Sequence, residues 1–133
     1  MSRILETFLS SGNVNRLRLL NLKNNQLTHV PNQIRLFSHL TRLNLGRNKI
    51  RSIKSEDFNF SKISTDDGGI QLWLNDNYLK YIEPGALMGY YGKSSVVVLG
   101  DNALNRFEYD VFQSILDQME PHQDTSIRID DSE

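Results

Sequence analysis

Cysteine is absent from all 133 residues, which excludes disulfides, cysteine-ligated zinc and thiol catalysis together. No apolar run approaches the ~20 residues that cross a bilayer as a helix. The opening MSRILETFLSSGN is broken by Glu6 and by polar residues where a secretory leader keeps a continuous apolar stretch. Catalytic patterns are missing as well. His29, His39 and His122 are scattered with no HxxxH or HxxEH spacing that would gather metal ligands on one face. Asp66/Asp67 and Asp130/Asp131 sit in turn-rich or terminal sequence and read as solvated charge. Gly68-Gly69 lacks the strand and helix context of a phosphate-cradling loop, and there is no nucleophile elbow. The sequence thus predicts no cofactor, no metal and no enzymatic activity.

Acidic residues are scarce in one half only. Residues 1–54 hold ten Lys/Arg and the single acid Glu6, a net +9, whereas residues 55–133 hold five Lys/Arg and fifteen Asp/Glu, a net −10. One reading is that these charges only solubilise the surface. The other is that the basic half attracts an acidic partner and steers its approach.

What the chain does contain is an eleven-residue pattern, LxxLxLxxNxL. It reads LRLLNLKNNQL from Leu17, LTRLNLGRNKI from Leu40, GIQLWLNDNYL from Gly69 and SSVVVLGDNAL from Ser94. The pairs Leu20/Leu22, Leu43/Leu45, Leu72/Leu74 and Val97/Leu99 alternate as strand residues do, pointing one way while their neighbours point the other. After each strand the chain turns, and the turning backbone needs hydrogen-bond partners. Asn25, Asn48, Asn77 and Asn102 carry both donor and acceptor. They read as a structural asparagine ladder bonding its own coil and the next. An apolar residue returns eight positions after the last strand leucine, at Val30, Ile53, Ile82 and Phe107. A bulkier one follows at Phe58, Leu87 and Phe112, while the first coil uses Ile34 and Phe37.

These residues resemble the leucine-rich repeat family from Leu17 to about Met119. The resemblance implies a right-handed α/β solenoid, with a short parallel sheet on the concave face and irregular turns plus one helix on the convex face. Residues 1–133 then form one domain: 1–16 a partial N-terminal cap, 17–119 four repeats, and 120–133 the start of a fifth strand at Ile127 and Ile129 with a tail. The intervals from Leu22 through Leu45, Leu74 and Leu99 to Ile129 are 23, 29, 25 and 30 residues. The extra length falls in a polar loop, Asn59 to Gly69, and in YDVFQSILDQM, Tyr109 to Met119. There Phe112, Ile115, Leu116 and Met119 take helical spacing before Pro121.

VFQSILDQM followed by SIRID resembles the last repeat of arthropod secreted leucine-rich repeat proteins, a group that includes the non-catalytic subunit of the oplophorid shrimp luciferin monooxygenase. That group carries a cysteine-bearing cap after the strand, which this sequence lacks. VPNQIRLFSHL instead matches the LPxxIxxLxxL form of intracellular scaffolds. The first likeness implies an extracellular protein; the missing leader and cysteines imply a cytoplasmic one or a partial chain. Asn59-Phe60-Ser61 is a glycosylation sequon, which has meaning only in a secreted chain.

If the residues flanking the inward pairs face the concave surface, they form three columns: Leu19, Arg42, Gln71, Val96; Asn21, Asn44, Trp73, Val98; and Lys23, Gly46, Asn75, Gly100. The candidate partner-binding residues are Trp73, Val96, Val98, Gln71, Arg42, Asn44, Asn21, Lys23 and Asn75. Trp73 is the only tryptophan, the residue type most enriched at interface hot spots. The function expected is protein recognition through the concave sheet, with an acidic protein as partner, neither nucleic acid nor a membrane span involved, and self-association through uncapped ends. The alternatives are a non-catalytic subunit of an enzyme complex and a fragment of a receptor-like extracellular leucine-rich repeat protein.

Overall fold

A computed structural model of the chain describes residues 16–58, 69–87, 95–104, 109–117 and 126–128. The expected cap over 1–15, most of the loop from Asn59, the sequon at Asn59, and Phe107, Met119, His122 and Ile129 lie outside the described residues.

Each of the four copies of the pattern makes one three-residue strand, and the segment around Ile127 adds a fifth. These are β1 (Leu19–Asn21), β2 (Arg42–Asn44), β4 (Gln71–Trp73), β6 (Val96–Val98) and β7 (Ser126–Arg128). They form a parallel five-stranded sheet in the order β1-β2-β4-β6-β7. Its register aligns the repeats residue for residue: Leu20 with Leu43, Leu43 with Leu72, Leu72 with Val97, and Val97 with Ile127. Parallel neighbours this far apart in sequence need a crossover for every pair. In this chain the crossover is the remainder of the repeat.

A second, two-stranded parallel sheet joins β3 (Ser52–Ile53) to β5 (Tyr81–Ile82). Between the sheets lies the core, where Leu43, Leu45, Ile50, Ile53, Leu72, Leu74, Leu79 and Leu87 are all essentially inaccessible to solvent. Every such residue comes from a recurring apolar position of the pattern. Burial of one of these side chains is worth about 1.5–3 kcal/mol, so the recurring positions account for the stacking.

The connecting segments also follow from local sequence. In the first repeat, Pro31 starts a 3-10 turn over Asn32–Leu36 that buries Ile34 and is followed by buried Phe37. Its backbone closes through the Ile34 N–H to Pro31 O and the Phe37 N–H to Ile34 O. In the last repeat the helix α1 covers Tyr109–Leu116, within the expected stretch from Tyr109 to Met119, and it buries Val111 and Phe112. A backbone bond from Asp117 N–H to Gln113 O completes its final turn. Among the described residues no helix is long and apolar enough to cross a membrane.

Candidate functional site

The outer face of the five-stranded sheet is set by the ladder beneath its C-terminal edge. Nδ2 of Asn48 donates to Leu22 O and Leu45 O, each at 3.0 Å, and to Gly46 O at 3.2 Å. Its Oδ1 accepts from the Leu27 N–H at 3.1 Å. Asn77 repeats this with Leu45 O, Leu74 O and Asn75 O, and accepts from Ile50 N–H. Asn102 does so with Leu74 O, Leu99 O and Gly100 O, and accepts from Leu79 N–H. The links run to the asparagine's own repeat and the preceding one, not forward to the next as the sequence suggested. The reason is geometric: the chain turns just before each asparagine, so the amide faces carbonyls already laid down. Asn25 shows the consequence. It is exposed, and among the described residues it bonds Leu22 O and Lys23 O of its own repeat.

The residue before each ladder asparagine is left-handed: Asn24 at φ 61°, Arg47 at 54°, Asp76 at 55° and Asp101 at 53°. Asn and Asp tolerate this region far better than other non-glycine residues. Arg47 is the departure. The turn is tight enough that a Cβ on the buried Gly46 would stand 2.9 Å from Asn75 Oδ1 and 3.1 Å from Asn44 Oδ1. Asn44 Oδ1 instead accepts the Gly46 N–H at 2.9 Å, as Asn21 Oδ1 accepts that of Lys23 at 3.0 Å.

Strand register brings the candidate binding residues together in rows. Asn21, Asn44, Trp73 and Val98 are successive cross-strand partners, and so are Leu19, Arg42, Gln71 and Val96. Leu19, Asn21 and Arg42 are exposed; Lys23, Asn44, Gln71, Trp73, Asn75 and Val96 are half-buried. Val98 differs from expectation, with only 5% of its surface exposed. Its register partners are Trp73 on β4 and Arg128 on β7, and it stands apart from the continuous core cluster. Asn75 is likewise committed, its Nδ2 donating to Asp76 Oδ2 at 2.8 Å, and Asp76 Oδ2 also lies 3.8 Å from Arg47 Nε.

A separate hollow of about 500 Å³ opens beside the second sheet, lined by Asn32, Arg35, Lys54, Ser55, Glu56, Asp57 and Glu83. Two of its three carboxylates serve the backbone: Asp57 Oδ2 accepts the Lys54 N–H at 2.8 Å and Glu83 Oε2 the Ser55 N–H at 2.7 Å. Burial raises the Asp57 pKa, and nearby Glu83 adds to the rise. The Lys54 N–H, the Lys54 ammonium and His29 oppose it.

Against known proteins, residues 16–37 match the family model for the Leucine Rich Repeat. A leucine-rich repeat is therefore present over the first copy of the pattern, and the parallel sheet fits the α/β fold of such repeats. No curated protein matches the chain.

Proposed function

We propose that the chain is a protein-binding module, a short solenoid of four leucine-rich repeats in one domain whose concave face is the outer face of the five-stranded sheet. The observation that carries this reading is Trp73. It sits half-exposed on the central strand, on the side away from the buried Leu72 and Leu74. An amphipathic indole held rigidly in a sheet is the kind of anchor that dominates interface energetics. Around it Gln71, Asn44 and Asn21 supply amide donors and acceptors, Arg42 and Lys23 supply positive charge, and Val96 adds apolar area. Basic residues concentrate toward β1 and β2, which favours a partner with an acidic surface.

No catalytic role is assigned, because among the described residues no acid, base and nucleophile converge on this face. The similarity of VFQSILDQM and SIRID to arthropod secreted repeat proteins favours one further reading, a non-catalytic subunit that stabilises an enzyme. Affinity capture from the native source with the wild-type chain, analysed by mass spectrometry, separates the two. A co-purifying enzyme in fixed stoichiometry supports the subunit, and a partner lost on washing at high salt supports the recognition module.

A further inference from the structure

A second surface lies on the flank of the repeats, away from the five-stranded sheet. Backbone bonds align three segments there: Lys49 N–H to Leu27 O, Tyr78 N–H to Ile50 O and Lys80 N–H to Arg51 O, while Ser52 pairs with Tyr81. Ile50, Ile53, Leu79 and Ile82 turn into the core. Facing out are Lys49 and Arg51 from the second repeat and Tyr78, Lys80 and Tyr81 from the third, all exposed.

Two features separate this patch from an ordinary solvated face. Tyr78 and Tyr81 keep 54% and 52% of their surface accessible, among the few large side chains so exposed, and they stand on the same segment as Lys80 and beside Lys49 and Arg51. The aligned segments 26–29, 49–53 and 78–82 contain no acid. Among the described residues none of the three cations has an ion-pair partner. The acids that bracket the third segment are engaged, Asp76 by Asn75 and Arg47, Glu83 by the Ser55 N–H.

We propose that this flank is a second docking surface, independent of Trp73, for a short acidic stretch of a protein partner. Strand spacing of about 4.8 Å and a rise of about 3.3 Å per residue place the cations within one small area, matched to a few carboxylates. The tyrosine rings supply rigid contact area with hydroxyls for hydrogen bonds. The three cations span only the second and third repeats, which matches a short acidic segment better than a long polyanion such as a nucleic-acid strand.

The test uses the full chain and a short fluorescent oligoglutamate peptide, read by anisotropy, with oligothymidylate of equal charge as competitor. Reversing Lys49→Glu and Arg51→Glu together is expected to weaken peptide binding by at least about tenfold. Tyr78→Ala with Tyr81→Ala should also weaken it, and Leu36→Ala, exposed outside both surfaces, should leave it unchanged. Circular dichroism checks that each variant is folded, and Lys49→Ala with Arg51→Ala provides a milder charge loss if the reversal perturbs the sheet. Unchanged affinity in these flank variants overturns the proposal. Displacement by oligothymidylate at lower concentration than by unlabelled peptide assigns the surface to nucleic acid and overturns it too. Loss of binding in Trp73→Ala alone would move the acidic site to the sheet face.

Discussion

The side-chain nitrogen of Asn77 lies 3.0 Å from the carbonyl oxygen of Leu45, a residue in the preceding repeat. The same amide bonds Leu74 O and takes the Ile50 N–H, so one buried side chain supplies partners to backbone groups of two repeats. Asn77→Ala leaves those groups without replacement, at about 1–3 kcal/mol for each group left unsatisfied. Asn25→Ala removes bonds to its own repeat only, in an exposed setting, and should cost less than 1 kcal/mol or so. Urea denaturation followed by circular dichroism checks the order. Equal losses would show that the backward links contribute nothing.

Arg47 occupies a left-handed position that its three counterparts fill with Asn or Asp. That conformation costs a typical L-residue roughly 1–2 kcal/mol, while its ion pair with Asp76 is long, half-exposed and worth about 0–1 kcal/mol. Arg47→Asn is therefore expected to leave stability unchanged or raise it by up to ~1 kcal/mol. Arg47→Val should lower it by about 1–2 kcal/mol. Thermal unfolding of both variants decides this.

Asp57 has a folded pKa raised above its unfolded value, chiefly by burial. Its protonated form is favoured by folding, so its contribution is fully present below the unfolded pKa and is lost as pH rises through the folded one. Asp57→Asn keeps an acceptor for the Lys54 N–H and removes a partly buried charge. The variant should match or exceed wild type in stability at pH 7, and its advantage should shrink as pH falls through the carboxylate range. A pH-independent difference would contradict the assignment.

The strand pairs and ladder asparagines stood out in the sequence because two-residue alternation and a fixed asparagine offset leave few other arrangements. Less was legible where the answer depends on neighbouring repeats. Val98 reads as an outward strand residue, yet it is buried, which the pattern of one repeat does not reveal. Ile53 and Ile82 were visible as returning apolar positions, but a two-residue strand is too short to show a period, so the β3–β5 pairing and the flank it builds went unseen. The direction of the ladder was also hidden, since an amide's spacing does not say which repeat its partners occupy.

On the sheet face, the two kinds of contact should separate kinetically. If the proposed acidic partner is drawn to exposed Arg42, Arg42→Glu should slow association several-fold at low salt, with a smaller effect at physiological salt. Surface plasmon resonance against a partner captured by the wild-type chain, at two salt concentrations, measures it. An effect confined to dissociation would remove the steering role.

The most direct measurement of the recognition surface is the dissociation rate of that same captured partner from Trp73→Ala, with Leu36→Ala, exposed outside both proposed surfaces, as a folded surface control. The account predicts dissociation at least about tenfold faster for Trp73→Ala, with an unchanged melting curve. Dissociation as slow as wild type, in a variant that remains folded, would show that the outer face of the five-stranded sheet is not where the partner binds.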